Sequence, residues 1–276
     1  MSLENFKPKH KYLICVDSDG CAVDSMTVKH TKCFGPAFIE TFDLAQYESP
    51  CMTYWLNINL YSKTRGINRF LGLNKALHYV NDNFKKIDEL EIFDKFINES
   101  HTYSNQALIN YLETHNYNIL KKCLEWSNLT NKLISSLKEE DVQLFKNVKE
   151  VLSECTTKAD ICVVSSANKE ALEAEWTRLG LKSLISVLCS QTDGTKEKCI
   201  KELSKHYMID NVLMIGDAML DLQAASNNHV YFYPILVRYE ELSWKNLKPY
   251  LDLFYVNEYR YCQNKLIDKF EHNFEI

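Results

Sequence analysis

The chain has 276 residues, 46% of them hydrophobic and 25% charged, with a formal charge of −5 and a pI near 5.9. That balance excludes disordered and fibrous classes, and an acidic chain excludes a surface for duplex nucleic acid, which needs clustered Lys and Arg. At roughly 150 residues per domain, the length allows two domains with well-buried cores.

The first eleven residues are polar and contain Lys, and Met1-Ser2-Leu3 reads as partly an expression remnant outside the fold. The apolar run Tyr12–Val16 that follows is too short for a signal h-region or a membrane span. A cytoplasmic protein with no membrane partner is therefore expected. Further runs rich in β-branched residues lie at 161–164, 184–188, 212–215 and 230–237. Four of the five runs are nearly continuous rather than alternating, which suits strands buried on both faces of a parallel sheet. Between them, 169–179 reads as a helix ended by Gly180, and 196–206 as a helix with Ile200 and Leu203 on its apolar side.

Residues 25–149 carry helix-period patterns and scattered aromatics, with no continuous strand run. They predict an all-α domain inserted into an α/β domain made of 1–24 and 150–276. The fold class expected is α/β, a doubly wound parallel sheet with a helical insertion. Trp244, Leu247, Leu251 and Phe254 recur at helical spacing, and 259–270 continues in similar style, so C-terminal helices should pack on the core. Ten cysteines form no Cys-x-x-Cys pair, and Cys15, Cys162 and Cys189 lie in apolar runs. They read as reduced, buried small hydrophobes. The eight histidines show no metal spacing.

The first strand runs into Asp17-Ser18-Asp19-Gly20, two carboxylates just past a buried strand, at the edge where α/β sheets bind ligands. Acids this close repel and raise one pKa unless a cation neutralises them. The fourth strand runs into Gly216-Asp217, with Asp221 four residues on. If a helix starts after Asp217, both acids share one side of its first turn. Carboxylates converging from two strand ends are the hard oxygen donors that Mg²⁺ prefers. The second strand ends at Ser165-Ser166, and the segment after the third supplies Lys196 and Lys198. A hydroxyl and an ammonium at the same edge complement a phosphoryl group. An EF-hand calcium loop does not fit, because a strand precedes Asp17 and Gly20 comes fourth rather than sixth.

The order Asp-x-Asp-Gly, Ser after a strand, Lys, then Gly-Asp-x-x-x-Asp resembles the haloacid dehalogenase superfamily, and 25–149 is similar to the helical cap that enters those proteins after their first motif. The resemblance implies a magnesium-dependent phosphomonoester hydrolase acting on a small phosphorylated metabolite. It implies Asp17 as nucleophile forming an aspartyl-phosphate, and Asp19 as acid and base whose main-chain carbonyl helps hold Mg²⁺. It further implies Ser165 and the loop after Asp17 (Gly20 included) as phosphate ligands, Lys196 rather than Lys198 as counter-charge, and Asp217 and Asp221 as metal ligands beside Asp17 and Asp19. Cys21 stands where Thr is usual. Ser166 is a further substrate candidate. In the insertion, Lys63, Arg65 and Arg69 surround Gly66; solvated charge is the simpler reading, with Arg65 and Arg69 the candidates for meeting a substrate's distal groups.

A phosphomutase would share every motif, and a non-enzymatic phosphate-binding or signalling relative is a further alternative. The second acid, Asp19, disfavours a dehalogenase proper, and the chain order disfavours a response-regulator receiver, whose acceptor Asp lies on its third strand. Substrate identity and oligomeric state are left open by the sequence.

Overall fold

The computed structural model describes Leu3 and residues 6–275; Met1 and Ser2 of the expected remnant, and Ile276 of the C-terminal stretch, lie outside the described residues. Strand β1 (Tyr12–Val16) is buried along its length, as an uninterrupted apolar run requires. A tight loop leads to the two-residue strand β2 (Val23–Asp24).

Helices α1 (Met26–Lys29), α2 (Gly35–Thr41), α3 (Glu48–Leu56), α4 (Arg69–Asn83), α5 (Leu90–Glu99), α6 (Asn105–Thr114) and α7 (Asn118–Ser135) follow. Helices α2 to α7 share one core that includes Phe34, Trp55, Phe70, Phe96 and Trp126. Two single π-turns, His30–Phe34 and Asn57–Tyr61, interrupt the early helices. Such turns leave main-chain groups to side-chain partners. Trp126 Nε1 donates to the Phe34 carbonyl at 3.3 Å, and Asn59 Nδ2 to the Trp55 carbonyl at 2.8 Å.

Strand β3 (Gln143–Leu144) then pairs antiparallel with β2. The chain divides into two compact units, Met1–Ser25 with Val142–Ile276 and Met26–Asp141. The second boundary falls earlier than the change of pattern near residue 150 implies. The reason is local: β3 pairs with β2, Phe145 N–H donates to the Ala22 carbonyl at 3.2 Å, and Arg178 Nη2 donates to the Val142 carbonyl at 2.8 Å. Helix α8 (Val148–Cys155) therefore belongs to the first unit.

In that unit, β4 (Ala159–Val164), β5 (Val187–Cys189), β6 (Val212–Gly216) and β7 (Tyr231–Pro234) join β1 in a five-stranded parallel sheet of order β5-β4-β1-β6-β7. Every strand residue in it is buried. The order runs outward from β1 in both directions, so β1 sits at the switch point of a doubly wound sheet. Helices α9 (Lys169–Arg178), α10 (Lys196–Ser204) and α11 (Met219–Asn227) make the connections, and α12 (Glu240–Lys245), α13 (Leu247–Tyr255) and α14 (Arg260–His272) end the chain.

Gly180, with φ +71°, closes α9 in the left-handed conformation. The chain then tightens into a 3₁₀ turn at Lys182–Leu184, and this moves the third strand to Val187–Cys189 from the expected 184–188. Strand β7 is an edge, and its outward groups are covered: Phe232 N–H donates to Gln263 Oε1 at 2.9 Å, and Tyr259 donates its hydroxyl to the Phe232 carbonyl at 2.7 Å. All ten cysteines are free thiols and nine are buried. Among the described residues, no helix is long and apolar enough to cross a membrane.

One buried acid, Asp160, lies at the start of β4. Its carboxylate accepts from the Lys9 and His10 N–H groups at 2.9 Å each, from Tyr207 at 2.8 Å and from Ser186 at 3.1 Å. Charge-assisted bonds are the stronger class, and removing their acceptor strands the donors. Asp160→Ala is expected to lower stability by about 2–4 kcal/mol, read as a shift of the urea midpoint at unchanged m value.

Candidate active site

Strands β1 and β6 are neighbours in register, Val16 beside Ile215, and Asp17 N–H donates to the Ile215 carbonyl at 3.0 Å. Asp17 therefore leaves β1 beside Gly216-Asp217 at the carboxyl edge of the sheet. The loop after it folds around one atom, the Ser18 carbonyl, which accepts from the N–H groups of Cys21, Ala22 and Val23 at 3.3, 3.0 and 2.9 Å. Gly20, at φ +80°, takes the left-handed conformation this return requires. Asp19 sits partly exposed in the loop, and its Oδ1 accepts from the Ser25 hydroxyl.

Helix α11 starts with Ala218 as N-cap, a residue with no side-chain acceptor. Asp221, in the first turn, reaches back instead, its Oδ2 accepting from the N–H groups of Asp217 and Ala218 at 3.2 and 3.1 Å. This reach needs Gly216, because a Cβ there would lie 2.4 Å from the Asp221 Cβ. On the other side, the Thr195 hydroxyl caps α10 by accepting from Lys198 N–H at 3.2 Å, which puts Lys196 at the first helical position. Lys196 Nζ lies 2.8 Å from Asp17 Oδ1 and 2.6 Å from Asp221 Oδ1. Lys198, two residues on, is exposed.

The oxygens of Asp17, Asp217 and Asp221 lie within 4.8 Å of one another, close enough to share one cation. The side chains are nearly dry: Lys196 is 14% exposed, Asp17 7% and Asp221 0%. Burial pushes Asp17 well above the usual carboxylate range; the Lys196 ammonium opposes this, while Asp221 and Asp217 add to it. Asp221 is raised for the same reasons, burial first. Burial alone would lower Lys196, but Asp17 and Asp221 outweigh it and hold the ammonium above its ordinary value. Among the described residues, the Lys196 ammonium stands beside three acids, so with all three ionised the buried set would carry excess negative charge.

The other residues singled out from sequence are placed differently. Ser165, buried one residue past β4, donates its N–H to the Cys189 carbonyl at 3.0 Å and accepts at Oγ from Ala167 N–H at 3.1 Å. Asn168, not Ser165, caps α9, accepting from Ala171 N–H at 3.2 Å. Ser166 is exposed. Arg65 and Arg69 lie in the helical unit and are not the solvated charges the local sequence suggests. Arg65 is buried and donates to the Leu60 carbonyl at 3.0 Å. Arg69 donates to Ser127 Oγ at 3.1 Å and Asn131 Oδ1 at 2.7 Å, over the Phe34 ring. Cys21 is buried with its thiol pushed up, by burial and then by Asp217, Asp17 and Asp221, and it donates to the Ile215 carbonyl at 3.6 Å. The sequence reading passed over Ser25; its spacing six residues after Asp19 is the only local signal, and a loop that returns on itself erases that distance.

Gly216→Ala would drive a methyl group into the Asp221 carboxylate. The expected loss is about 1–3 kcal/mol of stability, measured by urea unfolding, and the side chain that holds Lys196 would be displaced with it.

The chain's residues 67–235 match the model of the family described as haloacid dehalogenase-like hydrolase, well over half of its length. That stretch contains Ser165, Lys196, Asp217 and Asp221; Asp17 lies before it. No curated protein matches the chain. Among solved structures it is similar in fold to a haloacid dehalogenase-like family hydrolase from Streptococcus pneumoniae, at 12% identity and a TM-score of 0.51, over 85% of this chain and 90% of that one. A candidate phosphoglycolate phosphatase from Lactobacillus delbrueckii subsp. bulgaricus is similar at 14% identity and a TM-score of 0.53, over 82% and 86% of the two chains. The parallel sheet switching at β1, the acids at its carboxyl edge and the family match converge: this chain belongs to the haloacid dehalogenase-like hydrolases.

Proposed function

We propose that the protein is a magnesium-dependent phosphomonoester hydrolase of small phosphorylated metabolites that works through a phosphoryl group carried on Asp17. The observation that carries this reading is the buried Lys196 ammonium held between Asp17 and Asp221 in a set with excess negative charge. A divalent cation cancels that excess, and hard carboxylate oxygens at this spacing suit Mg²⁺. Asp17, Asp217 and the main-chain carbonyl of Asp19 are the proposed ligands. Asp221, whose oxygens already accept from Lys196, Asp217 and Ala218, would act through water. When bound, the ion supplies charge to offset the phosphoryl oxygens and orients the ester.

The chain's own residues then divide the work. Asp17, whose ionised form Lys196 and a bound cation would favour against burial and the neighbouring acids, donates an oxygen lone pair to phosphorus as the ester P–O bond breaks. Asp19, held by Ser25, delivers its proton to the leaving oxygen. In the second half, Asp19 takes a proton from water, the water oxygen bonds to phosphorus, and the P–O bond to Asp17 breaks, releasing phosphate and restoring both carboxyl groups. Lys196 offsets charge on Asp17 and the phosphoryl group throughout, with the Ser165 hydroxyl as a further donor; the Gly20 N–H, expected as a phosphate contact, donates instead to the Val23 carbonyl at 2.8 Å and shapes the loop. Ser166, exposed beside Ser165, is a candidate contact for the rest of the ester.

Asp17→Asn is expected to abolish magnesium-dependent release of phosphate from an aryl phosphate, by at least ~10³-fold, with the circular dichroism spectrum unchanged; retained turnover would refute the mechanism. Mg²⁺ should raise the Tm of the wild-type protein by mass action, and Asp217→Asn should remove that rise. A Tm indifferent to Mg²⁺ in the wild type would exclude the proposed ion.

A further inference from the structure

Two of the four tryptophans, Trp55 and Trp126, belong to the core of the helical unit. The other two, both fully buried, donate to the loop that carries Asp17 and Asp19: Trp176 Nε1 to Ser18 Oγ at 2.8 Å, and Trp244 Nε1 to the Cys21 carbonyl at 2.8 Å. We propose that Trp176 and Trp244 are positioning residues that clamp the Asp17–Cys21 loop, so that the C-terminal helices are part of the hydrolase's machinery. The inference rests on the reading of Asp17 and Asp19 as the reacting pair, since it concerns how their loop is held.

The two donors reach the loop from separate parts of the fold. Trp176 lies on α9, which follows β4, and Trp244 on α12, which follows β7; these strands stand on opposite sides of β1 in the sheet. Each indole has one N–H and no acceptor, and a buried donor left unmet is costly. A displaced loop would leave both N–H groups without their acceptors. Within the loop, the Ser18 carbonyl collects three N–H groups while its hydroxyl takes Trp176. A single residue thereby joins the loop's internal bonds to its external anchor.

Helix α12 is itself pinned. Ser243, beside Trp244, accepts at Oγ from Leu236 N–H at 3.0 Å and donates to the Tyr239 carbonyl at 2.9 Å, and its carbonyl accepts from the Tyr233 hydroxyl at 2.7 Å. Strand β7 is thus tied through α12 to the loop, while β7 also pairs with β6, the strand that presents Asp217. The two carboxylate-bearing loops share one frame.

The test uses Trp176→Phe, Trp244→Phe and Ser18→Ala, which keep most of the packing and remove the bond. Two readouts apply: kcat and KM for an aryl phosphate with Mg²⁺, and amide hydrogen exchange at residues 18–23. Each variant is expected to lower kcat about 10-fold with KM within about 2-fold, since a misplaced reacting group costs rate rather than binding. Exchange in the loop should quicken while that of β4 and β6 holds. The Trp176→Phe/Ser18→Ala double variant should be no slower than either single one, because both remove the same bond. Unchanged loop exchange, or a loss confined to Tm with kcat intact, would overturn the clamp; if Trp176→Phe unfolds, Ser18→Ala decides for that bond, and if Trp244→Phe unfolds, Trp244→His, which can keep a ring N–H, decides for the other by the same two readouts. If the wild-type protein releases no phosphate, the proposed function fails, and quickened loop exchange in the variants still upholds the clamp.

Discussion

The site depends on a buried ammonium shared by two buried carboxylates: Lys196, 2.8 Å from Asp17 and 2.6 Å from Asp221. Charges removed from water are tolerated only when their partners are close and their remaining lone pairs are met. Four elements must agree to meet that condition: β1 ends one residue before Asp17, β6 ends at Gly216, α10 begins at Lys196 under its Thr195 cap, and α11 carries Asp221 in its first turn, reaching back to the Asp217 and Ala218 N–H groups. The absence of a side chain at Gly216 is what lets Asp221 sit against the end of β6. Even so, three acids share one ammonium, and burial first, then the neighbouring acids, raises the carboxyl groups of Asp17 and Asp221. A site built this way has the acid spacing that could hold one cation, with the Lys196 ammonium beside it.

Around this ion cluster, the loop of Asp17–Cys21 is held mainly by main-chain donors converging on the Ser18 carbonyl and by two indole N–H groups. Neutral bonds fix its shape without adding charge to a site that already has an excess. The buried thiol of Cys21 follows the same logic: raised by burial and three acids, it stays protonated and donates to the Ile215 carbonyl, a weaker version of the bond a hydroxyl would make. The helical unit is organised on different terms, through an aromatic core in which Trp126, Asn59 and Arg65 serve main-chain carbonyls. Arg65 and Arg69, two of the three cations gathered near Gly66, are bonded within the unit.

How far the site could be read from sequence depended on the range of each interaction. Asp17, Asp19, Asp217 and Asp221 stand out because buried strands end immediately before the first acid of each pair, and Lys196 because a helix opens on it. Ser25 was missed because its meeting with Asp19 depends on a loop that turns back on itself, and Trp244 read only as a packing residue because its partner, the Cys21 carbonyl, is 223 positions away. The domain boundary was misjudged for a similar reason: Gln143–Leu144 is too short to show a strand pattern, and it is a strand only because Val23–Asp24 pairs with it.

By itself the sequence determined the fold class, the helical insertion and the pairs of acids at strand ends, because hydrophobic period and strand-end position are local properties of the chain. Only the tertiary structure decided that Lys196 reaches both Asp17 and Asp221, that Asn168 rather than Ser165 caps α9, and that Arg65 and Arg69 are tied into the helical unit. Those outcomes turn on which of several chemically equivalent groups arrives within about 3 Å of a partner, and that distance is set by the packing of whole elements, not by spacing along the chain.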